Sequence, residues 1–212
     1  MTIYLGIWQL DRLKWKEELI YNFNNLQDQK PLSLSMGKMK YPSIEEFTKI
    51  ISRGTINRSK KIFLPAKTNN GKNGIRIGSL LTDNHGNNYL IDEGWFPENK
   101  YEYFKNNNQI INVEIIGYIR FPTQKKMFTP ENSVKLNEWY YYDLQQIQDY
   151  IGVKINQKFF IKNMSKYSED FLVPSSIKHN FTNNHLQYAI TWFLMSISFG
   201  AIFFVYYLRT FK

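Results

Sequence analysis

The chain has 212 residues, enough for one ordinary domain and an anchor, and contains no cysteine, which excludes disulfides, thiolate metal sites and a cysteine nucleophile. Lys and Arg outnumber Asp and Glu by 27 to 18, a net charge of +9, yet the bases are scattered and form no stripe. Anionic lipid headgroups are therefore the expected neighbours, and nucleic acid is not.

In chain order, Met1–Leu10 is apolar but too short to cross a bilayer, and it lacks the features of a signal peptide. It runs into Asp11, Arg12, Lys14 and Lys16, and Leu5, Trp8, Arg12, Trp15 and Leu19 recur at helical spacing. Residues 1–20 thus read as the last turns of a transmembrane helix whose beginning is missing, followed by amphipathic turns. A surface amphipathic helix is the other reading. Gln29–Pro42 reads as a connector, and Ser43–Phe47 as a short helical patch capped by Ser43. Strands are expected at Thr48–Asn57, Ile62–Lys67, Ile75–Thr82, Tyr89–Phe96 and Gln109–Phe121, with turn chemistry at Asn69-Asn70-Gly71 and Asn84-His85-Gly86. In the last strand Ile111, Val113, Ile115, Ile119 and Phe121 share one face. A helix is expected over Trp139–Ile151, ended by Gly152, and a further strand over Lys158–Lys162. Residues 21–183 form, on this pattern, a mainly antiparallel β domain, barrel-like, with small helices.

Tyr188–Leu208 then carries no charged side chain, and as a helix it is roughly 30 Å long, the thickness of a bilayer's hydrocarbon core. Aromatic residues mark both ends, and Arg209 and Lys212 close the chain. The hydroxyls of Thr191, Ser196 and Ser198 can return to the helix backbone. A buried core helix would carry a charged face over this length. The fold class is a membrane-anchored α+β chain, with a transmembrane helix at 184–208 and a basic tail at 209–212.

Three histidines bear on chemistry. His85 falls in a hairpin tip and His179 in a linker. His185 stands just before the apolar run, one turn from Tyr188 and two from Trp192, where a neutral imidazole can ligate a metal or haem iron, or simply meet headgroups. Asp92 and Glu93 are adjacent on a strand, point to opposite faces and are poorly placed for acid–base work. No nucleophile elbow, P-loop, zinc-protease or dinucleotide motif occurs, and nothing asks for an enzyme. Ser196 and Gly200 form a small-xxx-small pair suited to close approach of another helix.

Five blocks resemble one family. LGIWQLDRLKWKEELI (Leu5–Ile20) resembles G-x-W-Q-x-x-R-x-x-W-K-x-x-L-I, and NYLIDEGWFP (Asn88–Pro97) resembles V-N-R-G-W-x-P. GYIRFPTQKKMFTPEN (Gly117–Asn132) is similar to G-x-x-R-x-P-x-x-x-x-x-F-x-P-x-N, EWYYYDL (Glu138–Leu144) to W-x-x-x-D, and NHLQYAITWF (Asn184–Phe193) to N-x-H-x-x-Y-A-x-T-W-F. These are blocks of the surfeit-locus (Surfeit-one type) assembly factors of cytochrome c oxidase. The resemblance implies an integral protein of the bacterial or mitochondrial inner membrane, with two membrane helices and a central domain on the periplasmic or intermembrane-space side. It further implies help in handling or inserting haem a during maturation of the oxidase catalytic subunit, with haem a synthase as a second partner. It places the haem ligand at His185, with Tyr188 and Trp192 either flanking the ring or serving as packing residues. A scaffold that stabilises oxidase assembly intermediates without binding a cofactor is the alternative. Two features depart from the family: the first helix begins late, and Glu93 stands where the family has arginine. Charge orients the chain poorly, since Arg209 and Lys212 favour a cytoplasmic or matrix C-terminus while Arg12, Lys14 and Lys16 then lie outside.

Overall fold

A computed structural model describes residues 1–34, 45–69, 71–122, 125–166, 169–176 and 183–210. Gly37, Pro42 and Ser43 of the expected connector and cap, the linker His179, and Lys212 lie outside those residues. The described chain forms two compact units, one of Met1–Asn25 with Lys178–Lys212 and the other of Leu26–Ile177.

The larger unit is a mixed six-stranded sheet. Its strands are β1 (Leu32–Ser33), β2 (Lys49–Asn69), β3 (Lys72–Asp83), β4 (Asn88–Pro97), β5 (Ile110–Arg120) and β6 (Phe160–Asn163). Four pairings are antiparallel, and β1–β2 and β4–β6 are parallel. The order β1-β2-β3-β4-β6-β5 carries a further β2–β5 pairing, so the ladder returns to β2.

Two expected strands merge into β2. The polar run Arg58-Ser59-Lys60-Lys61 reads as a break, but the chain only shifts register there, between Asn57 and Lys61, and stays extended. It does so because Arg58 and Lys61 are buried against partners from distant segments. The other additions are β1, inside the expected connector, and the one-and-a-half-turn helix α2 (Tyr101–Asn106), which buries only Phe104.

Alternation along the strands feeds separate clusters. Ile50, Ile56, Leu81, Tyr89, Ile91, Ile115, Ile119 and Ile161 gather on one face, with Ile111 and Val113 against them. Phe121, beyond the end of β5, is outside that cluster and partly exposed. On the other face Ile62, Leu64, Leu80 and Leu90 pack beneath α3 (Leu144–Ile151), and a third cluster joins Phe63, Ile77 and Phe96 to Phe104 and Leu172. β4 is therefore covered on both sides, and its residues from Tyr89 to Phe96 are all buried.

α3 begins later than the sequence pattern suggests. Asp143 caps it, accepting a hydrogen bond from Gln146 N at 3.0 Å, and Gly152 ends it with φ 68°. Trp139 precedes the helix as a fully buried plug, its indole N–H donating to Asn137 Oδ1 at 2.8 Å. The W-x-x-x-D block thus holds one core residue and one helix cap.

The smaller unit is two long helices, α1 (Thr2–Asp28) and α4 (His185–Thr210). α1 continues past the expected end at residue 20. Among the described residues α4 is the one helix long and apolar enough to cross a membrane, with a mean hydropathy of 1.8. Its hydroxyls do return to the backbone: Thr191 donates to the Tyr188 carbonyl at 2.8 Å and Ser198 to that of Leu194 at 2.9 Å.

Candidate functional site

Three contacts fix how α1 and α4 run. Thr2 meets Ser196, Gly6 meets Phe193, and Gln9 meets His185, so position rises along one helix as it falls along the other. The helices are antiparallel. At about 100° per residue, Thr2, Gly6, Gln9 and Leu13 form one face of α1, and His185, Ala189, Trp192, Phe193 and Ser196 form the facing stripe of α4. Burial agrees: among the described side chains Gly6 and Ala189 are the buried positions of the pair, and most of α4 is exposed.

Each contact has its own chemistry. A Cβ at Gly6 would lie 2.6 Å from the Phe193 ring, so the absence of a side chain lets the ring cross. Ser196 Oγ donates to the Trp192 carbonyl at 2.8 Å and accepts from the Thr2 hydroxyl at 2.7 Å. His185 Nδ1 lies 2.7 Å from Gln9 Oε1. Gly200, the other half of the small-residue pair, has open space beside it.

Helical phase also sorts the flanks. In an antiparallel pair, residues displaced in the same rotational sense from the contact face point to the same side. Gly6 and Phe193 lie on one side. Trp8 and Arg12 of α1 and Tyr188 and Trp192 of α4 lie toward the other. Tyr188 is 53% exposed and Trp8 42%. The Arg12 guanidinium is 5.5 Å and 5.4 Å from the ring centroids of Trp8 and Trp15, so that stripe is an exposed cation–π ladder. α4 carries His185, Tyr188, Trp192 and Ser196 at the spacing read from the sequence, and α1 sets Gln9 against His185 and Thr2 against Ser196. Gln9 was visible only as the W-Q dipeptide. Its signal was being a polar side chain on the same helical face as Thr2 and Gly6.

The donor set suits a haem iron. One imidazole is present, its Nδ1 meets Gln9 Oε1, and its Nε2 is the nitrogen that could take a ligand, with Tyr188 and Trp192 one and two turns further along α4. His85, in contrast, is exposed at the β3–β4 turn, where Asp83 Oδ1 accepts from its backbone N–H at 2.9 Å.

The larger unit buries two charge clusters. Arg58 reaches Glu93 Oε2 through Nη2 at 2.7 Å and Glu169 Oε1 through Nη1 at 2.7 Å; Ser79 Oγ donates to Glu93 at 2.5 Å and Tyr103 to Glu169 at 2.8 Å. Burial pushes the Arg58 guanidinium down, but the two carboxylates outweigh it and hold its pKa above the ordinary value. On the opposite face Arg76 makes a two-point pair with Asp92, at 2.7 and 2.8 Å, joined by the Tyr142 hydroxyl at 2.7 Å. Burial raises the Asp92 carboxyl, yet Arg76 and Lys162 prevail and hold it below its usual range. Burial and the Asp92 charge push the Tyr142 phenol well up. Asp92 and Glu93, adjacent on β4, are thus each engaged in an ion pair on opposite faces of the sheet.

The E-G-W triplet is explained by the next segment. Gly94 has φ 149°, and a Cβ there would collide with the Val173 carbonyl, because residues 171–175 cross at that point. Trp95 and Val173 exchange backbone hydrogen bonds at 2.8 and 2.7 Å, and the Trp95 ring lies on Gly74.

A sequence profile of the SURF1 family matches residues 1–197. Surfeit locus protein 1 of Mus musculus is 24% identical, over 97% of this chain and 72% of its own length. That of Takifugu rubripes is 24% identical over 100% of this chain and 94% of its own. A SURF1-like protein of Rickettsia felis is 28% identical over 97% and 92%. The matched span takes in α1, the whole sheet and the first half of α4, and the chain belongs to the SURF1 family.

Proposed function

We propose that this chain is a non-enzymatic assembly factor for cytochrome c oxidase, held in a bacterial cytoplasmic or mitochondrial inner membrane, that handles haem a for the oxidase catalytic subunit beside haem a synthase. Its main domain faces the periplasm or intermembrane space. α4 is the membrane anchor. His185 is the axial ligand, with Tyr188 and Trp192 as flanking surface. The single observation that carries the reading is the placement of His185. It is the first residue of α4, it is tied through Nδ1, and no charged side chain follows until Arg209.

Haem a is a large apolar ring with a polar edge, and a carrier at the bilayer boundary can keep the ring out of water while leaving the edge wet. When bound, the group supplies an iron centre that accepts one nitrogen lone pair. The chain's part is to hold that nitrogen still and to cover the ring with aromatic side chains. One protein ligand, rather than two, keeps release possible.

The test is purification of the full-length chain in detergent from cells that make haem a. The wild-type chain should carry haem absorbance, and His185→Ala should lose it while remaining folded by circular dichroism. Full haem occupancy in the variant would remove His185 from the mechanism. The exposed surface of α4 around Gly200 favours a second reading, a scaffold that binds oxidase subunits through helix packing. A scaffold would co-purify with those subunits, carry no haem and tolerate loss of His185.

A further inference from the structure

An imidazole offers a ligand bond through one nitrogen only if the proton is on the other. In a free neutral imidazole the proton favours Nε2, the nitrogen that must be bare here. The contact at His185 reverses that preference. Gln9 Oε1 lies 2.7 Å from Nδ1, and a carboxamide oxygen only accepts, so the shared hydrogen is the imidazole's own. The proton is thereby kept on Nδ1, and Nε2 retains its lone pair.

Gln9 is well fixed for this task. It is half-buried on the contact face of α1, above the turn where Phe193 crosses Gly6 and two turns above the Thr2–Ser196 hydroxyl pair. These contacts set the spacing and rotation of α1 against α4, so helix packing holds the carboxamide against the imidazole.

We propose that Gln9 is a positioning residue for His185: it accepts the Nδ1 hydrogen, fixes the tautomer that leaves Nε2 bare, and sets how strongly that nitrogen donates. The role in haem binding rests on the ligand reading above; the tautomer does not. Outer partners of this kind typically change metal affinity by about 10–100-fold when lost. A stronger acceptor at this position makes the imidazole a stronger donor and stabilises ferric over ferrous iron.

The first arm of the test needs no haem. Full-length chain labelled with nitrogen-15 histidine, in detergent and in alkaline buffer where imidazoles are neutral, should show His185 protonated at Nδ1. The signal is assigned by its loss in His185→Ala. Gln9→Leu should move the proton to Nε2, and Gln9→Glu should keep it at Nδ1. The second arm uses chain loaded with haem a. Gln9→Leu should bind about 10–100-fold more weakly, and Gln9→Glu should retain haem at a more negative reduction potential than wild type. A wild-type imidazole protonated at Nε2 would overturn the proposal, as would equal potentials in wild type and Gln9→Glu. A wild-type chain that shows Nδ1–H yet takes up no haem defeats the ligand reading, and the positioning role with it, while leaving the tautomer assignment standing.

Discussion

Arg58→Met tests whether the buried ion cluster holds the sheet unit together. Arg58 is 1% exposed and Glu93 is fully buried, with Nη2 2.7 Å from Oε2 and Nε at 3.1 Å from the same oxygen. Methionine keeps most of the volume but takes the guanidinium away from the Glu93 carboxylate, which still accepts from Ser79. At about 4 Å between charge centres and an effective dielectric of about 20, the lost attraction is roughly 4 kcal/mol. Removing one partner of a buried pair costs about 3–5 kcal/mol, because the other charge stays behind in a poor solvent. For a chain of this size that corresponds to a fall in melting temperature of roughly 6–20 °C. Thermal melts of the full-length chain in detergent, followed by near-ultraviolet circular dichroism, read it directly. The double variant Arg58→Met with Glu93→Gln removes both charges and should melt above Arg58→Met alone. A single variant that melts within about 2 °C of wild type would refute the reasoning, since it would mean that Glu93 finds water or a proton at little cost.

Gly94→Ala forces a side chain into the Val173 carbonyl at φ 149°; backbone strain alone costs about 1–3 kcal/mol, and the Trp95–Val173 hydrogen bonds should open, read as faster proteolysis near residues 171–175. The Asp92 carboxyl, held below its unfolded value of about 3.9, contributes stability that is complete above that pH and is lost as pH falls through the folded value. Stability measured by denaturant titration below about pH 4 should therefore fall more steeply with acid in wild type than in Asp92→Asn, and equal slopes would count against the pair.

Most of the sheet was legible because its strands alternate on a two-residue period and end at Asn-Gly turns. The central run of β2 was not, because Arg58 and Lys61 look solvated until Glu93, Glu169, Asn107 and Asn108 are brought beside them. α2 escaped notice for a different reason: with one buried residue, Phe104, it has no period to read. At α3 the aromatic run Trp139–Tyr142 mimics a helix start, whereas Asp143, standing before Leu144, Ile147 and Ile151, is the cap. The candidate site was legible only in half. His185, Tyr188 and Trp192 follow from spacing along α4, but Gln9 is 176 residues away, and no local pattern ties it to an imidazole.

That long connection also ties the two end blocks of the chain to one another. On the contact face between the two helices, a polar side chain shut away from water without a partner costs about 1–3 kcal/mol, so Gln9 and His185 serve each other. Their meeting requires a fixed rotation of both helices, which Gly6 under Phe193 and Thr2 against Ser196 supply. A bulky residue at Gly6 would displace the Phe193 ring, push α1 away from α4 and separate the amide from the imidazole, although neither polar group had been altered. Gly6→Leu should therefore show the same proton shift to Nε2 that Gln9→Leu shows. If the tautomer survives that variant, the two helices do not set the site, and Gln9 follows His185 by side-chain flexibility alone.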